Sequence, residues 1–440
     1  MEISFPVEQG LPFQFTDKPV TPWGGLRLVQ EMLIRMDFRG ALAASGLPQP
    51  GSNRGYDPVA MMEAFLVCVW IGGVRFSHTS VVRFDEALCQ MFRWERVASV
   101  STFTRWFRRF DRARVDEVFG FLSRWFWDQL TPRTITLDLD SSVVTRYGRQ
   151  EGAVVGYSRQ KFGKPSHRPL FAFAADWRMV VHAWLRPGNT DDCNGVQDFT
   201  EETLSLLQPR HRVGLIRADA GFYDRGFLGN LESKSIAYIV SADMTEPLRH
   251  EIAATKQWLD AGEGIGVAEF QYEGFRSMKA RRMIVVRQEL RRRPQSLGKE
   301  LIEVPGYKFT AFVTSLELPP AEVWRLYNGR GDSENRIAEL KADFGLNGFC
   351  LDPFYATEAA FRSVMLAYNL MSLFRQALLQ APRAIKLSTM RFQCFALGSW
   401  IGREGRKKVL RISLNGKRRA WFEGLFAKIE TFRCPWPAPT

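Results

Sequence analysis

The chain has 440 residues, 45% of them hydrophobic, enough for two or three domains with apolar cores. Lys+Arg 60 against Asp+Glu 47 gives a net charge of +13, which points to a polyanionic partner, nucleic acid ahead of an anionic membrane surface. No stretch is apolar for long enough to span a bilayer. The segment Met1–Gln9 lacks the basic and apolar runs of a signal peptide, and six scattered cysteines without a C-x-x-C pair argue against zinc, so reduced thiols in a cytoplasmic protein are expected.

Residues 1–25, rich in Pro and Gly, read as an extended arm, and Leu26–Ala44 has helical periodicity. Asp57-Pro58 is a helix start, a capping side chain followed by proline in the first turn. Helices are predicted over 59–72, 79–91 and 101–129, the last capped by Ser101. That last helix interleaves Arg105, Arg108, Arg109, Arg112 and Arg114 with Trp106, Phe107 and Phe110. The arrangement fits a DNA-contacting helix, with arginines on phosphates and base edges and aromatics underneath. It equally describes an amphipathic helix with a basic solvent face. Residues 1–130 are read as a helical DNA-binding domain.

Near Thr131 the pattern changes period. T-I-T-L-D-L-D-S-S-V-V alternates as a strand. P-L-F-A-F-A-A-D and W-R-M-V-V-H-A-W-L should form a hairpin against it. A helix over Gly195–Leu207, a buried strand R-V-G-L-I-R-A-D, a helix beginning A-G-F-Y-D and a strand I-A-Y-I-V-S follow. The order β-β-β-α-β-α-β is that of an RNase H-like core, placed at 131–242 and completed at 319–385. Between them, 243–318 reads as a β-rich insertion with strands at Y-E-G-F, R-R-M-I-V-V-R-Q and Y-K-F-T-A-F-V-T. The basic run Arg291–Arg293 within it is read as a solvated turn. A long helix fits Thr357–Gln380. Residues 386–440 form a basic, mainly helical C-terminal region ending on an amphipathic helix at Trp421–Ile429. The expected class is therefore α/β, with helical flanks on both sides.

Three acids carry the chemistry. Asp140 and Asp219 each close an inner strand, where open α/β sheets place their ligands. If those strands are neighbours, the two carboxylates repel, and burial adds a desolvation cost that a divalent cation removes. Oxygen-only donors favour Mg²⁺ or Mn²⁺. Asp138, two positions earlier on the same strand face, is a rival to Asp140. Glu334 lies in L-Y-N-G-R-G-D-S-E-N-R-I-A-E-L-K-A-D, where Tyr327, Arg330, Glu334 and Lys341 return to one side of a helix. Delivered from there, Glu334 would complete a site for two metal ions, one activating the attacking oxygen and one stabilising the leaving oxygen. Gly329 and Gly331 are the weak point, each costing about 1 kcal/mol in a helix interior.

These residues resemble the DDE transposases of bacterial insertion sequences, in particular the cut-and-paste branch with the signature Y-x2-R-x3-E-x6-K. Tyr327, Arg330, Glu334 and Lys341 match its four positions, D-S-S-V at Asp140 is similar to the first acidic motif, and A-D-A-G-F-Y matches the second around Asp219. The resemblance spans roughly Thr131 to Gln380. It implies a cytoplasmic, nucleoid-associated enzyme that binds terminal inverted repeats and pairs them as a homodimer. A metal-activated water cuts one strand, the freed 3′-hydroxyl forms a hairpin, and the reopened end is joined to target DNA. Tyr327, Arg330 and Lys341 would hold phosphates, and Trp258, Tyr272 or Tyr307 would stack a flipped base. A related nuclease or resolvase without strand transfer, and a silent DNA-binding descendant, are the competing readings.

Overall fold

A computed structural model of the chain describes residues 15–52, 54–156, 162–274, 279–289, 306–380 and 385–437. Its centre is a mixed sheet of nine strands. In spatial order these are Leu259–Gly262, Ile265–Tyr272, Arg281–Glu289, Tyr307–Thr314, Ala237–Ala242, Arg212–Ala218, Thr134–Ser141, Leu170–Ala174 and Met179–Trp184. The five strands of this sheet between 134 and 242 carry the expected RNase H-like order. The first pairs antiparallel with Leu170–Ala174 and parallel with Arg212–Ala218, which is parallel to Ala237–Ala242. Leu170–Ala174 and Met179–Trp184 form the predicted hairpin. The run over 170–174 is wholly buried, so its sequence shows no alternation.

The β-rich insertion is not a separate sheet. Its strand Tyr307–Thr314 pairs antiparallel with Ala237–Ala242 and carries the neighbouring strands outward as an extension of the core. The strand expected at Y-E-G-F lies earlier, at Ile265–Tyr272, where Ile265, Val267 and Ala268 are buried. Residues 275–278 and the basic run Arg291–Arg293 lie outside the described residues.

The N-terminal helices follow capping chemistry closely. Asp57 accepts hydrogen bonds from the amides of Val59 and Ala60 and starts the helix Pro58–Trp70. The helix expected over 79–91 is two, Thr79–Phe84 and Glu86–Phe92, because Asp85 caps the second through the Leu88 amide. The single helix expected over 101–129 is also two. Val100–Phe107 is capped by Ser99 rather than Ser101, and Arg112–Asp128 by Asp111. Trp106, Phe107 and Phe110 are buried as expected.

The long helix Phe354–Phe374 is buried along nearly its whole length and continues as a wider π-type turn, Arg375–Leu379. It lies beneath the hairpin, where Asn369 exchanges two hydrogen bonds with the backbone of Val180. It also receives the N-terminal region, since the Trp70 indole donates to the carbonyl of Ala367 at 3.1 Å. One apolar core thus runs through the N-terminal helices, the sheet and this helix.

The C-terminal region departs from the mainly helical expectation. A hairpin, Ser399–Glu404 and Lys407–Ile412, precedes the helix Gly416–Thr431 and pairs with the short strand Val20–Thr21. Phe422, Leu425 and Ile429 of that helix are buried against the body. Among the described residues, no helix is long and apolar enough to cross a membrane. All six cysteines are unpaired.

Candidate active site

Asp140 and Asp219 are brought together by strand register. Leu139 stands opposite Ala218 in the parallel pair, so the next residue on each strand is an aspartate at the carboxyl end of the sheet. Arg330 joins them: its Nη2 lies 3.3 Å from Asp140 Oδ2 and 3.3 Å from Asp219 Oδ2. The Ser333 hydroxyl donates to Asp140 Oδ2 at 2.7 Å. Burial pushes the Asp140 carboxyl up to about 6, against the pull of Arg330 and Ser333. Burial also raises Asp219, with Arg330 opposing and the nearby Asp192 adding to the rise. Asp219 additionally accepts the Gly221 amide at 3.1 Å, holding the turn that follows its strand.

Asp138 has a different job. It is fully buried and faces Arg217 across the same strand pair, with Nε–Oδ1 2.6 Å and Nη2–Oδ2 2.9 Å. Its carboxylate is occupied by this two-pronged pair. Two further acids near the strand ends are similarly engaged: Asp192 holds Arg168 at 2.7 and 2.9 Å, and Asp224 caps the helix Arg225–Ser233.

The signature stretch is not one helix. Pro320–Asn328 ends at Gly329, and Gly331–Ala342 begins after Arg330. A close approach marks the joint. Arg217 Nη1 donates to the Leu326 carbonyl, and a Cβ at position 329 would lie 2.6 Å from that nitrogen. A Cβ there would press the guanidinium away from the Leu326 carbonyl and from Asp138. Arg330 therefore sits at the joint, buried to 6% exposure, with its Nε unpartnered. Tyr327 precedes the joint, packs on Phe312 at 4.3 Å between ring centroids, and has its hydroxyl pKa raised mainly by burial. Lys341 donates to Ser142 Oγ at 2.6 Å and to the Val143 carbonyl at 3.0 Å. The small residues after Asp140 thus receive the signature lysine.

Glu334 lies on the first turn of the second segment, beside Ser333, and is exposed. Its helix also carries Asp332, which pairs with Arg178 and Arg336, and Glu339, which pairs with Arg375. Asp343 at the end of the helix accepts from Ser388. Glu334 has no ion pair among the described residues. Ser333 and Arg217 were missed in the sequence; a serine inside the variable part of the signature, and an arginine on a buried strand, carry no local signal of their partners.

Of the N-terminal arginines, Arg105, Arg108, Arg109 and Arg112 are exposed and Arg114 is half-buried, and they are not on one helix. Arg105 belongs to the first helix and bonds its own Ser101 carbonyl. Arg108 and Arg109 lie at the joint, on Asp352 at 2.9 Å and the Gln49 carbonyl at 2.6 Å. Arg112 starts the next helix near Asp116, and Arg114 reaches the Gly46 carbonyl. In the insertion, the Arg287 guanidinium lies 4.6 Å from the Trp258 ring and 5.1 Å from that of Tyr307. Tyr272 packs on Phe270 instead.

A family model described as Transposase DDE domain group 1 matches residues 8–434. The chain belongs to the DDE transposases. No curated protein matches it in sequence. Among solved structures it is similar to piggyBac transposase in a synaptic complex with hairpin DNA, at 10% identity and a TM-score of 0.47, over 94% of this chain and 84% of that one.

The transposase's aspartate pair suits a divalent cation on charge grounds. Two carboxylates drawn to one guanidinium nitrogen, both raised by burial, mark a place that favours positive charge. Their oxygen donors suit Mg²⁺ or Mn²⁺. The three-acid convergence expected from sequence is met by two. Among the described residues, no group of three or more His, Cys, Asp and Glu is placed to hold a metal ion.

Proposed function

We propose that this protein cuts the ends of an insertion sequence at its terminal inverted repeats and joins them to target DNA. The observation that supports this best is the meeting of Asp140 and Asp219 on adjacent parallel strands, within reach of one nitrogen of Arg330. In this reading Asp140, Asp219 and Glu334 hold two Mg²⁺ or Mn²⁺ ions. Bound there, the ions supply an acidified water and Lewis-acid stabilisation of the phosphoryl oxygens. Glu334 is the third acid because it fills the carboxylate position of the signature, and of the acids on its helix it alone has no ion pair among the described residues.

Arg330 has a second role beyond balancing the aspartates. Its guanidinium, fixed in plane beside the two strand ends, supplies positive charge for a phosphate oxygen. Lys341, anchored at the strand end, adds positive charge beside the same strand. Tyr327 offers its hydroxyl from the other side of the joint. Arg105, Arg108, Arg109 and Arg112 contact the flanking duplex. The chain acts as a homodimer in the bacterial cytoplasm, at the nucleoid. The hairpin step rests on the spacing of the signature, and a base stacked on Trp258 or Tyr307 belongs to that step.

The test is cleavage of duplexes carrying the inverted repeats that border the gene, with Mg²⁺ or Mn²⁺ added. Glu334→Ala is expected to lower cutting by at least about a hundredfold, with repeat binding within about twofold, read by gel shift. Normal cutting by that variant would remove Glu334 from the site. For Arg330→Ala, cutting should fall while circular dichroism stays unchanged. Binding should weaken steeply with salt, because several phosphates are contacted.

A further inference from the structure

The C-terminal hairpin carries charge that the active site does not use. Between Arg403 and Arg411 it has five basic residues and one acid, Glu404. Arg411 already neutralises that acid, Nη2 to Oε1 3.0 Å. Arg403, Arg406, Lys407 and Lys408 are exposed, and their side chains have no ion pair among the described residues. Register makes matters worse for the free protein. Arg403 stands directly opposite Lys408, and like charges facing each other across an antiparallel pair repel. The root of the hairpin is firmly held: Trp400 and Ser399 pair with Val20 and Thr21, and Leu410 and Ile412 pack on the core. Cations therefore crowd the tip of a ribbon whose base is fixed.

We propose that this ribbon is a docking surface for the phosphate backbone of double-stranded DNA, separate from the aspartate site. A two-stranded ribbon is narrow enough to follow a groove of the duplex. Phosphates would supply the counter-charge that Arg403 and Lys408 lack. Because every contact is with the backbone, the surface is indifferent to sequence and adds affinity on either side of the cut. Lysines on an edge strand also discourage strand-to-strand aggregation, and Lys407–Ile412 is an edge strand. That function needs fewer charges than the ribbon has, and it places no demand on Arg403 and Arg406.

The inference rests on the DNA-processing reading, and the experiment separates the two. The full chain and its Arg406→Gln/Lys407→Gln/Lys408→Gln variant are titrated onto a fluorescein-labelled duplex of random sequence, by anisotropy, between about 50 and about 200 mM salt. Loss of three phosphate contacts is expected to reduce the slope of log affinity against log salt by about 3. Thermal midpoints should match, since the three side chains touch nothing buried. An unchanged slope overturns the proposal, whether the variant is otherwise silent, merely less soluble, or weaker only on phosphatidylserine vesicles. A reduced slope in a protein that cuts no DNA leaves the ribbon standing and removes the catalytic reading instead.

Discussion

Asp140→Asn is expected to abolish strand cutting, by about a thousandfold or more, and yet to leave the protein more stable than wild type at about pH 8. Burial raises this carboxyl from its ordinary 3.8 to about 6, outweighing Arg330 and Ser333. An acid whose folded pKa is raised contributes its stability while protonated, below the unfolded value, and loses it as pH climbs through the folded value. Without metal, the ionised Asp140 is thus a cost at neutral pH, on the order of 3 kcal/mol. Asparagine keeps the shape and a partner for Ser333 without the charge. Urea unfolding at about pH 8 should show the variant ahead, with the gap narrowing by about pH 5. Adding Mg²⁺ should stabilise wild type and not the variant. A variant weaker than wild type at pH 8 would mean that attraction to Arg330 exceeds the desolvation cost.

Two residues earlier, the opposite outcome is expected. Asp138→Ala should lower stability by about 3–5 kcal/mol, because Arg217 is left charged and unpaired in the interior. Asp138 is fully buried, and both prongs of its pair are within 2.9 Å. The double variant Asp138→Leu/Arg217→Met should recover most of that loss, since apolar replacement of a buried ion pair is often neutral. It should still cut poorly. Arg217 also holds the Leu326 carbonyl, and without that tether the joint at Gly329 no longer holds Arg330 against the aspartates. Denaturation midpoints and cleavage rates, measured on both variants, separate stability from positioning.

Much of this site was legible before any coordinates. An aspartate ending an apolar strand is a local pattern, though whether the two strands would be neighbours was left open. The spacing of Tyr327, Arg330, Glu334 and Lys341 pointed to one functional stretch, and the glycines inside it marked where a helix would give way. The strand period at 134–141 and the hairpin after it were equally readable. The buried arginine pair was not. Asp138 and Asp140 share a strand face and a chemistry, and they differ only in the side chain each meets from elsewhere.

Elsewhere, breaks went unseen for a related reason. Ser99 and Ser101, or Asp111 inside an apolar periodic run, offer competing helix starts, and the winner depends on which backbone amides the packed neighbours leave free. The hairpin at 399–412 was hidden because its residues are mostly exposed and basic, without an alternating apolar face.

Periodicity and spacing, properties of neighbours along the chain, were enough to read an α/β core with acids at its strand ends. Contacts between residues far apart in sequence settled the rest: which aspartate is tied up by Arg217, what crowds position 329, and how Arg330 comes to bridge Asp140 and Asp219. Those outcomes turn on register and on guanidinium groups arriving from other strands and helices, and no local pattern encodes where an incoming side chain will end.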